Sequence, residues 1–172
     1  GIQDFRPKPV LSFGANDQSH VRQLTFGLQY NLQTTGGSQL SLAVQKARYR
    51  KATDFANVAL ADTVTRDAPL LVSANAGLAI TPSLTAYAGY VRGLEESPIA
   101  PDIAINRSEA PPAIRTRQMD MGLRYAITPK LALIAGVFEV KKPYFGIDAV
   151  TRFGNLGTVA NRGIELSLAG SL

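Results

Sequence analysis

The chain has 172 residues, of which 45% are apolar, so its length and composition allow one ordinary domain with a hydrophobic core. It contains no cysteine, which excludes disulfides, thiolate metal ligands and cysteine nucleophiles. The net charge of +5 is spread along the chain without a run of like charges, and nothing indicates nucleic-acid binding. The chain does not open with a signal peptide, so we expect a mature or trimmed product.

The first half of the chain is predicted to form extended strands. Residues 5–13 are the first predicted segment, and the next, 21–33, alternates strictly between apolar and polar residues. Such a period of two is typical of a strand whose two faces differ. The segments 39–51 and 69–80 follow, and 69–80 again carries an apolar row along one side.

The stretch "AITPSLTAYAG" at residues 79–89 returns as "AITPKLALIAG" at residues 126–136. In both copies a Thr-Pro pair separates two apolar runs, a pattern typical of a tight turn between strands. We therefore expect the chain to reverse direction at Pro82 and again at Pro129. The strands predicted in this half of the chain are 84–94, 117–127, 131–142 and 160–172.

The connections between the eight predicted strands alternate in length. Short turns at 34–38, 81–83 and 128–130 alternate with long connections at 52–68, 95–116 and 143–159. Transmembrane barrels show this asymmetry, because short turns lie at one rim and long loops at the other. Most of the predicted strands run 11 to 13 residues, against a mode of about 5 to 6 in soluble proteins. The pattern predicts an all-β, antiparallel up-and-down fold with the two kinds of connection at opposite rims.

The two faces of these strands differ in composition, and this difference fits two architectures. In a soluble sandwich the apolar rows pack together, whereas in an outer-membrane barrel they face lipid and the polar rows line the lumen. Only 18% of the residues are charged and the polar rows are mostly small and neutral, which favours the barrel. Tyr30, Tyr125 and Tyr49 are predicted to lie where aromatic girdles form. We expect lipid contact from Leu24, Phe26, Leu28, Met119, Met121 and Leu123, and lumen exposure of Gln29, Asn31, Asp120 and Arg124.

No combination of residues indicates catalysis or a metal site. Glu95 and Glu96 are neighbours at the end of a predicted strand, so their side chains point to opposite faces and cannot act together as acid and base. His20 is the single histidine and has no neighbouring ligand set, and no Gly-x-Ser-x-Gly elbow occurs. The sequence therefore predicts a protein that is not an enzyme and that holds no metal or cofactor.

The long connections carry the candidate ligand-binding residues. Aromatic side chains exposed beside cations are what a bulky, anionic or aromatic ligand requires. An alternative interpretation is that the cations bind acidic lipid head groups while the aromatic residues belong to the girdle. The candidate substrate-binding residues are Arg107, Arg115, Arg117, Tyr144, Phe145 and Arg152.

Residues 87–172 contain four blocks in order: "YAGYVRGLEES", "RTRQMDMGLRY", "GVFEVKKPYFGID" and "NRGIELSLAG". In their order and spacing these blocks resemble the C-terminal half of TonB-dependent outer-membrane receptors of the ferric-siderophore type. Residues 21–80 fit as preceding strands of such a barrel. The resemblance implies that residues 1–172 are a partial β-barrel domain, with the plug, the N-terminal coupling box and further strands on both sides absent.

The resemblance also implies a location and an activity. It implies a transmembrane barrel segment in the bacterial outer membrane that takes part in energy-coupled uptake of ferric siderophores. The partners would be the ferric siderophore or a similar small ligand, outer-membrane lipid, the plug and remaining strands of the full receptor, and an inner-membrane energy-coupling protein. Two alternatives stay open: a self-contained eight-stranded outer-membrane barrel with a structural or adhesive role, and a soluble β-sandwich binding module.

Overall fold

The computed structural model describes residues 16–56 and 60–171. Within that part the chain is all-β, and no helix is long and apolar enough to span a membrane. The first predicted strand, at 5–13, lies outside the described residues. The strands are β1 (Gln18–Gln33), β2 (Gln39–Asp54), β3 (Thr63–Asp67), β4 (Leu70–Thr81), β5 (Leu84–Glu95), β6 (Ile114–Thr128), β7 (Leu131–Ile147) and β8 (Phe153–Gly170).

The described strands form one antiparallel sheet in the order β1-β2-β4-β5-β6-β7-β8, and the short strand β3 pairs with β2 beyond the end of β4. Apart from β3, each strand lies beside its neighbour in the sequence, which is the up-and-down arrangement of a barrel wall. Within the described residues the sheet is open, since β1 pairs only with β2 and β8 only with β7. The prediction of an all-β, antiparallel up-and-down fold is confirmed.

The two Thr-Pro corners are built alike. The Thr81 hydroxyl accepts a hydrogen bond from the backbone N–H of Leu84 at 3.0 Å, and the Thr128 hydroxyl accepts one from the N–H of Lys130 at 3.2 Å. These corners join β4 to β5 and β6 to β7, so in an antiparallel up-and-down sheet they lie at the same end as the turn at 34–38. The prediction that they share one rim, here called the short-turn rim, is confirmed. The opposite end of the sheet is called the long-loop rim.

The predicted long loop at 143–159 is wrong. β7 continues to Ile147 and β8 begins at Phe153, which leaves only residues 148–152 between them. Pro143 and the nearby glycines suggest strand breakers, yet Pro143 keeps a partner across the ladder. A bulge follows on β8, where Gly157 adopts a φ of +149°, a conformation that suits glycine because it has no Cβ.

The other two long connections differ from each other. The connection predicted at 52–68 contains β3, which extends the sheet beside β2. The connection predicted at 95–116 is shortened by the early start of β6 at Ile114, and residues 96–113 remain as a long segment without strand. We call residues 96–113 the inner loop, for its position described below.

Cross-strand pairing places the apolar residues of neighbouring strands on one face. Leu123 of β6, for example, lies between Ala86 of β5 and Ala135 of β7. We call this the outer face; its large side chains are exposed, with 84% of Leu28 and 85% of Ile164 accessible. The opposite face is the inner face. The sequence separated the two faces correctly, with Leu24, Phe26, Leu28, Met119, Met121 and Leu123 on the outer face and Gln29, Asn31, Asp120 and Arg124 on the inner face.

Tyr49 does not join an exposed aromatic girdle. It lies on the inner face of β2 and is only 4% exposed, in the same row as the buried Lys51. The strand keeps its period of two, but the inner loop covers this face at the long-loop rim. The girdle prediction is therefore wrong for Tyr49, whereas Tyr30 and Tyr125 are exposed on the outer face near the short-turn rim.

Gly122 on β6 provides a test of this packing. A Cβ added there would meet the carbonyl oxygen of Ala135, the Cα of Gly136 at 2.7 Å and the hydroxyl of Tyr87 at 2.7 Å. Two of these atoms are backbone that cannot move without breaking the β6–β7 ladder, so we expect Gly122→Ala to lower the free energy of unfolding by about 1 to 3 kcal/mol. The measurement is reversible urea unfolding of the protein.

Gly154→Ala is the matched control for this substitution. A Cβ added at Gly154 meets nothing within 4 Å, so this variant should unfold at the urea concentration of the parent protein. Equal stability of the Gly122 and Gly154 variants would contradict the observed close approach of β5, β6 and β7.

Candidate ligand-binding site

The inner loop folds over the inner face and is tied to β2 and β3. Lys51 of β2 is buried beneath it, and its Nζ donates to the carbonyl oxygen of Ser97 at 3.0 Å. The same Nζ lies 2.6 Å from Oε1 of Glu96. On β3, the Thr65 hydroxyl donates to the carbonyl oxygen of Ala110 at 2.8 Å. A buried ammonium without partners is costly, so Lys51 holds the start of the inner loop on β2. The hydrogen bond of Thr65 holds the end of the loop on β3.

Asn106 connects the middle of the inner loop to the hairpin of β7 and β8. Its Nδ2 donates to the carbonyl oxygen of Phe153 at 2.9 Å, and its Oδ1 accepts from the N–H of Phe153 at 2.8 Å. The side-chain amide thereby satisfies both backbone groups of one strand residue. The N–H of Ile105 donates to the carbonyl oxygen of Thr151 at 2.9 Å and extends the junction by one further bond.

A small apolar cluster lies at this junction. Ala100 and Ala104 of the inner loop pack with Phe153 of β8, and Phe145 of β7 lies against them. The rings of Phe145 and Phe153 are stacked, with centroids 6.1 Å apart and an interplanar angle of 29°. Apolar burial and the hydrogen bonds of Asn106 therefore hold the inner loop and the hairpin together.

A groove of about 460 Å³ opens between the inner loop and the hairpin. Three of the predicted ligand-binding residues, Arg115, Phe145 and Arg152, line it. Nη2 of Arg115 lies 3.0 Å from Oδ1 of Asp67, and Nη2 of Arg152 lies 3.3 Å from Oε2 of Glu109. Both guanidinium groups are more than half exposed, so their ion pairs are weak and an incoming anion can replace the carboxylates. Guanidinium groups beside an aromatic ring suit an anionic or aromatic ligand.

The other three predicted residues do not line this groove. Arg107 is exposed on the inner loop, and Tyr144 is exposed within β7 instead of lying in the predicted long loop. Arg117 lies on the outer face of β6, in register with Arg92 and Lys141. The part of these three residues in ligand binding stays a prediction.

Glu109 and Phe153 line the groove but are not among the candidates chosen from the sequence. Both residues belong to segments that the sequence marks as rich in cations and aromatics. Their convergence depends on the contact between Asn106 and Phe153, which are 47 positions apart. No local pattern of residues encodes that contact.

Nearer the short-turn rim, the inner face forms a second cavity of about 520 Å³. Its lining is mixed, and its polar members include Asn31, Ser41, Asn75, Tyr87 and Asp120. In residues 16–56 and 60–171, no group of three or more His, Asp or Glu side chains could hold a metal ion. The inner face therefore presents hydrogen-bonding groups from one rim towards the other.

The open, antiparallel up-and-down sheet with its long connections at one rim defines a barrel-like wall. No family model and no curated protein matches the chain. Among solved structures it is similar to BauA, the ferric preacinetobactin receptor from Acinetobacter baumannii, with 26% sequence identity and a TM-score of 0.74. The match covers 96% of this chain and 25% of that receptor, so the chain spans about a quarter of its length. The chain has a siderophore-receptor-like fold.

The Asn106 junction generates a prediction about the order of the groove. We expect Asn106→Ala to leave the backbone groups of Phe153 without partners and to detach the inner loop from the hairpin. One or two lost hydrogen bonds amount to about 1 to 2 kcal/mol, so amide hydrogen exchange of residues 100–109 should accelerate about 5- to 30-fold. Exchange measured by mass spectrometry on peptides from this region checks the result.

Asn161→Ala is the control for this experiment, because Asn161 is exposed on β8 and lies opposite Val140 in the ladder. This variant should leave exchange in the inner loop unchanged. Unaltered exchange in the Asn106 variant as well would show that the apolar cluster alone holds the loop.

Proposed function

We propose that residues 1–172 form part of the barrel wall of a TonB-dependent outer-membrane receptor that takes up ferric siderophores. The observation that carries the proposal is the similarity to a ferric siderophore receptor over 96% of the chain, with an arginine- and phenylalanine-lined groove at the long-loop rim. In this proposal the chain is not an enzyme, and the ferric complex is its cargo.

The outer face supports a location in a membrane. Leu28, Leu166 and Ile164 are between 74% and 85% exposed, and exposed large apolar side chains also lie on the outer face of β2, β4, β6 and β7. Soluble proteins rarely expose a contiguous apolar surface of this extent. Contact with lipid accounts for it, because the apolar face of a transmembrane barrel is turned towards the hydrocarbon.

The groove is suited to capture of the ferric complex outside the lipid. Arg115 and Arg152 offer guanidinium groups that an anionic siderophore can bind in place of Asp67 and Glu109, and Phe145 offers a ring face. Each exposed ion pair contributes only about 0 to 1 kcal/mol, so affinity requires several contacts together. Arg107, Arg117 and Tyr144 remain further candidates at this rim.

The remaining steps would use parts of the receptor other than this chain. An energy-coupling protein of the inner membrane would rearrange the plug, and the cargo would pass along the polar inner face, past residues such as Asn75 and Asp120. The free edges of β1 and β8, at the two ends of the described sheet, would pair with further strands of the barrel. This openness favours the partial barrel over a self-contained eight-stranded one.

The membrane location is tested by placing a charge on each face of β4. Leu78 is 61% exposed on the outer face, so Leu78→Arg should have little effect in water but should cost about 2 to 4 kcal/mol near the middle of a bilayer. Asn75→Arg is the control, because Asn75 lines the cavity of about 520 Å³ on the inner face. The measurement is the free energy of unfolding from lipid vesicles, and equal stability of the two variants would argue for a soluble sandwich.

Ligand capture is tested in the complete receptor with the double variant Arg115→Gln and Arg152→Gln. Removal of the two cations leaves Asp67 and Glu109 to repel an anion. The probe is ferric preacinetobactin or another ferric siderophore that binds the parent, and we expect its dissociation constant to rise about 5- to 30-fold. The measurement is equilibrium binding on cells with equal amounts of surface receptor.

The matched control removes the same charge elsewhere. Arg124→Gln with Lys130→Gln eliminates two cations near the short-turn rim and should leave the affinity unchanged. Undiminished affinity in the groove variant would place recognition outside the groove. Failure of catecholate, hydroxamate and preacinetobactin complexes alike to bind the parent receptor would count against siderophore uptake itself.

A further inference from the structure

Cations form a row across the outer face near the long-loop rim. Arg22 of β1 lies opposite Arg50 of β2, and Arg50 lies opposite Arg66 of β3. Arg48, two positions before Arg50, shares the same face. All four side chains are exposed. We call these four residues the arginine row.

Among residues 16–56 and 60–171, no carboxylate forms an ion pair with a member of the arginine row. Like charges directly opposite each other in a sheet destabilise it. The ion pairs among the described residues involve other cations, namely Lys51, Arg115, Lys141, Arg152 and Arg162. On the same face, Arg162 of β8 is paired with Glu139 of β7 at 2.6 Å, which shows how this sheet neutralises a cation when the neighbouring strand supplies a carboxylate. An external anion could therefore neutralise the charge of the arginine row.

The position of the row restricts which anion can reach it. Leu24, one step below Arg22 on the same face, joins the arginine row in lining a shallow groove of about 600 Å³. Asp67 also lines this groove, but its carboxylate is paired with Arg115 at 3.0 Å. Below Leu24 the outer face continues with Phe26 and Leu28, which are 63% and 84% exposed. A ligand on this surface therefore contacts cations at one end and a long apolar surface at the other.

A second group of cations lies at the same level on the other side of the sheet, although here Lys141 is paired with Glu139 at 2.8 Å. Arg92 of β5, Arg117 of β6 and Lys141 of β7 lie side by side in register on the outer face. Met119, the next outer residue of β6, begins the apolar surface below them. Two separate rows at the same boundary indicate a property of the rim as a whole and not an isolated cluster.

We propose that the arginine row binds the phosphate groups of an anionic lipid whose acyl chains lie against the apolar part of the outer face. Guanidinium groups bind phosphate oxygens in a bidentate manner, and the cations of a protein at the lipid boundary attract anionic head groups. A free phosphate would make no use of the apolar surface, whereas a phosphorylated lipid satisfies both parts. The inference rests on the membrane location in the proposed function, but it involves residues outside the ligand groove.

The test compares two lipids on the complete receptor in neutral detergent. The probes are diphosphorylated lipid A and the same lipid after enzymatic removal of its phosphates, and binding is measured by native mass spectrometry. The parent protein should retain the diphosphorylated lipid and lose most of its affinity when the phosphates are absent. Equal binding of both lipids, or competition by inorganic phosphate alone at similar concentration, would overturn the proposal.

The triple variant Arg22→Gln, Arg50→Gln and Arg66→Gln assigns the binding to the row. Each cation at an anionic lipid surface changes affinity about fivefold, so the triple variant should bind the diphosphorylated lipid on the order of 100-fold more weakly. The control Arg124→Gln, Lys130→Gln and Lys142→Gln removes the same charge from the inner face and the short-turn rim and should bind like the parent. Retained affinity in the row variant would refute the assignment.

Two further measurements separate this inference from the proposed function. If the triple variant does not fold, the single variant Arg50→Gln, at the centre of the row, should still show about fivefold weaker lipid binding. Siderophore affinity of the row variants should equal that of the parent. Loss of lipid binding with siderophore capture retained supports the lipid site alone, and absence of siderophore binding with lipid binding intact counts only against the proposed cargo.

Discussion

Backbone pairing between neighbouring strands, combined with the two-residue period of a strand, fixes the face on which each side chain lies. The pairing of β6 with β5 and β7 continues without a shift from Met121 to Arg117. The same register therefore positions both the apolar surface at Met121 and the cations at the level of Arg117. A slip of one residue would move Leu123 to the inner face and Asp120 to the outer face. In the observed register, Gly122 and Gly136 lie under the side chain of Tyr87, where neither position has room for a Cβ.

The inner loop depends on this register as well. Lys51 is only 4% exposed as a side chain and belongs to the inner face because of its position in β2. Its ammonium group needs Glu96 and the carbonyl of Ser97, so the start of the inner loop must lie over β2. Asn106 then brings the loop to Phe153 on the opposite side. The groove is consequently shaped by strands that are not adjacent to each other.

Strict alternation was enough to predict most of the sheet, because period and pairing are local properties. The segments 21–33 and 69–80 contain clear apolar rows; the first lies within β1, and the second matches β4 to within one residue at each end. The Thr-Pro corners were also predictable from the sequence, because the Thr81 hydroxyl accepts its hydrogen bond from Leu84 within the turn itself. Pro143 misled the prediction because a proline is tolerated where a bulge follows it in the ladder.

The groove could not be predicted to the same depth. The sequence offers Arg115, Phe145 and Arg152 as cations and aromatics, but not the long-range contact that brings them to one place. Tyr49 illustrates the same difficulty, because its burial comes from a loop more than forty residues later in the chain and not from its own strand. Local pattern specifies the face of a residue, whereas its surroundings depend on which loop covers that face.

Strand β2 passes through two environments in order, and this succession links the fold to the proposed activity. Near the short-turn rim its outer side chains are apolar, as at Leu42 and Val44, and its inner ones are small or polar. Towards the long-loop rim the outer side chains become Arg48 and Arg50, and the inner ones become the buried Tyr49 and Lys51. In the proposed function, this change falls where the strand leaves the lipid on one face, while the inner loop begins to cover the other face. The groove belongs to this second region, so in that proposal an anionic ligand meets the exposed, carboxylate-paired Arg115 and Arg152 before it reaches the polar wall behind them.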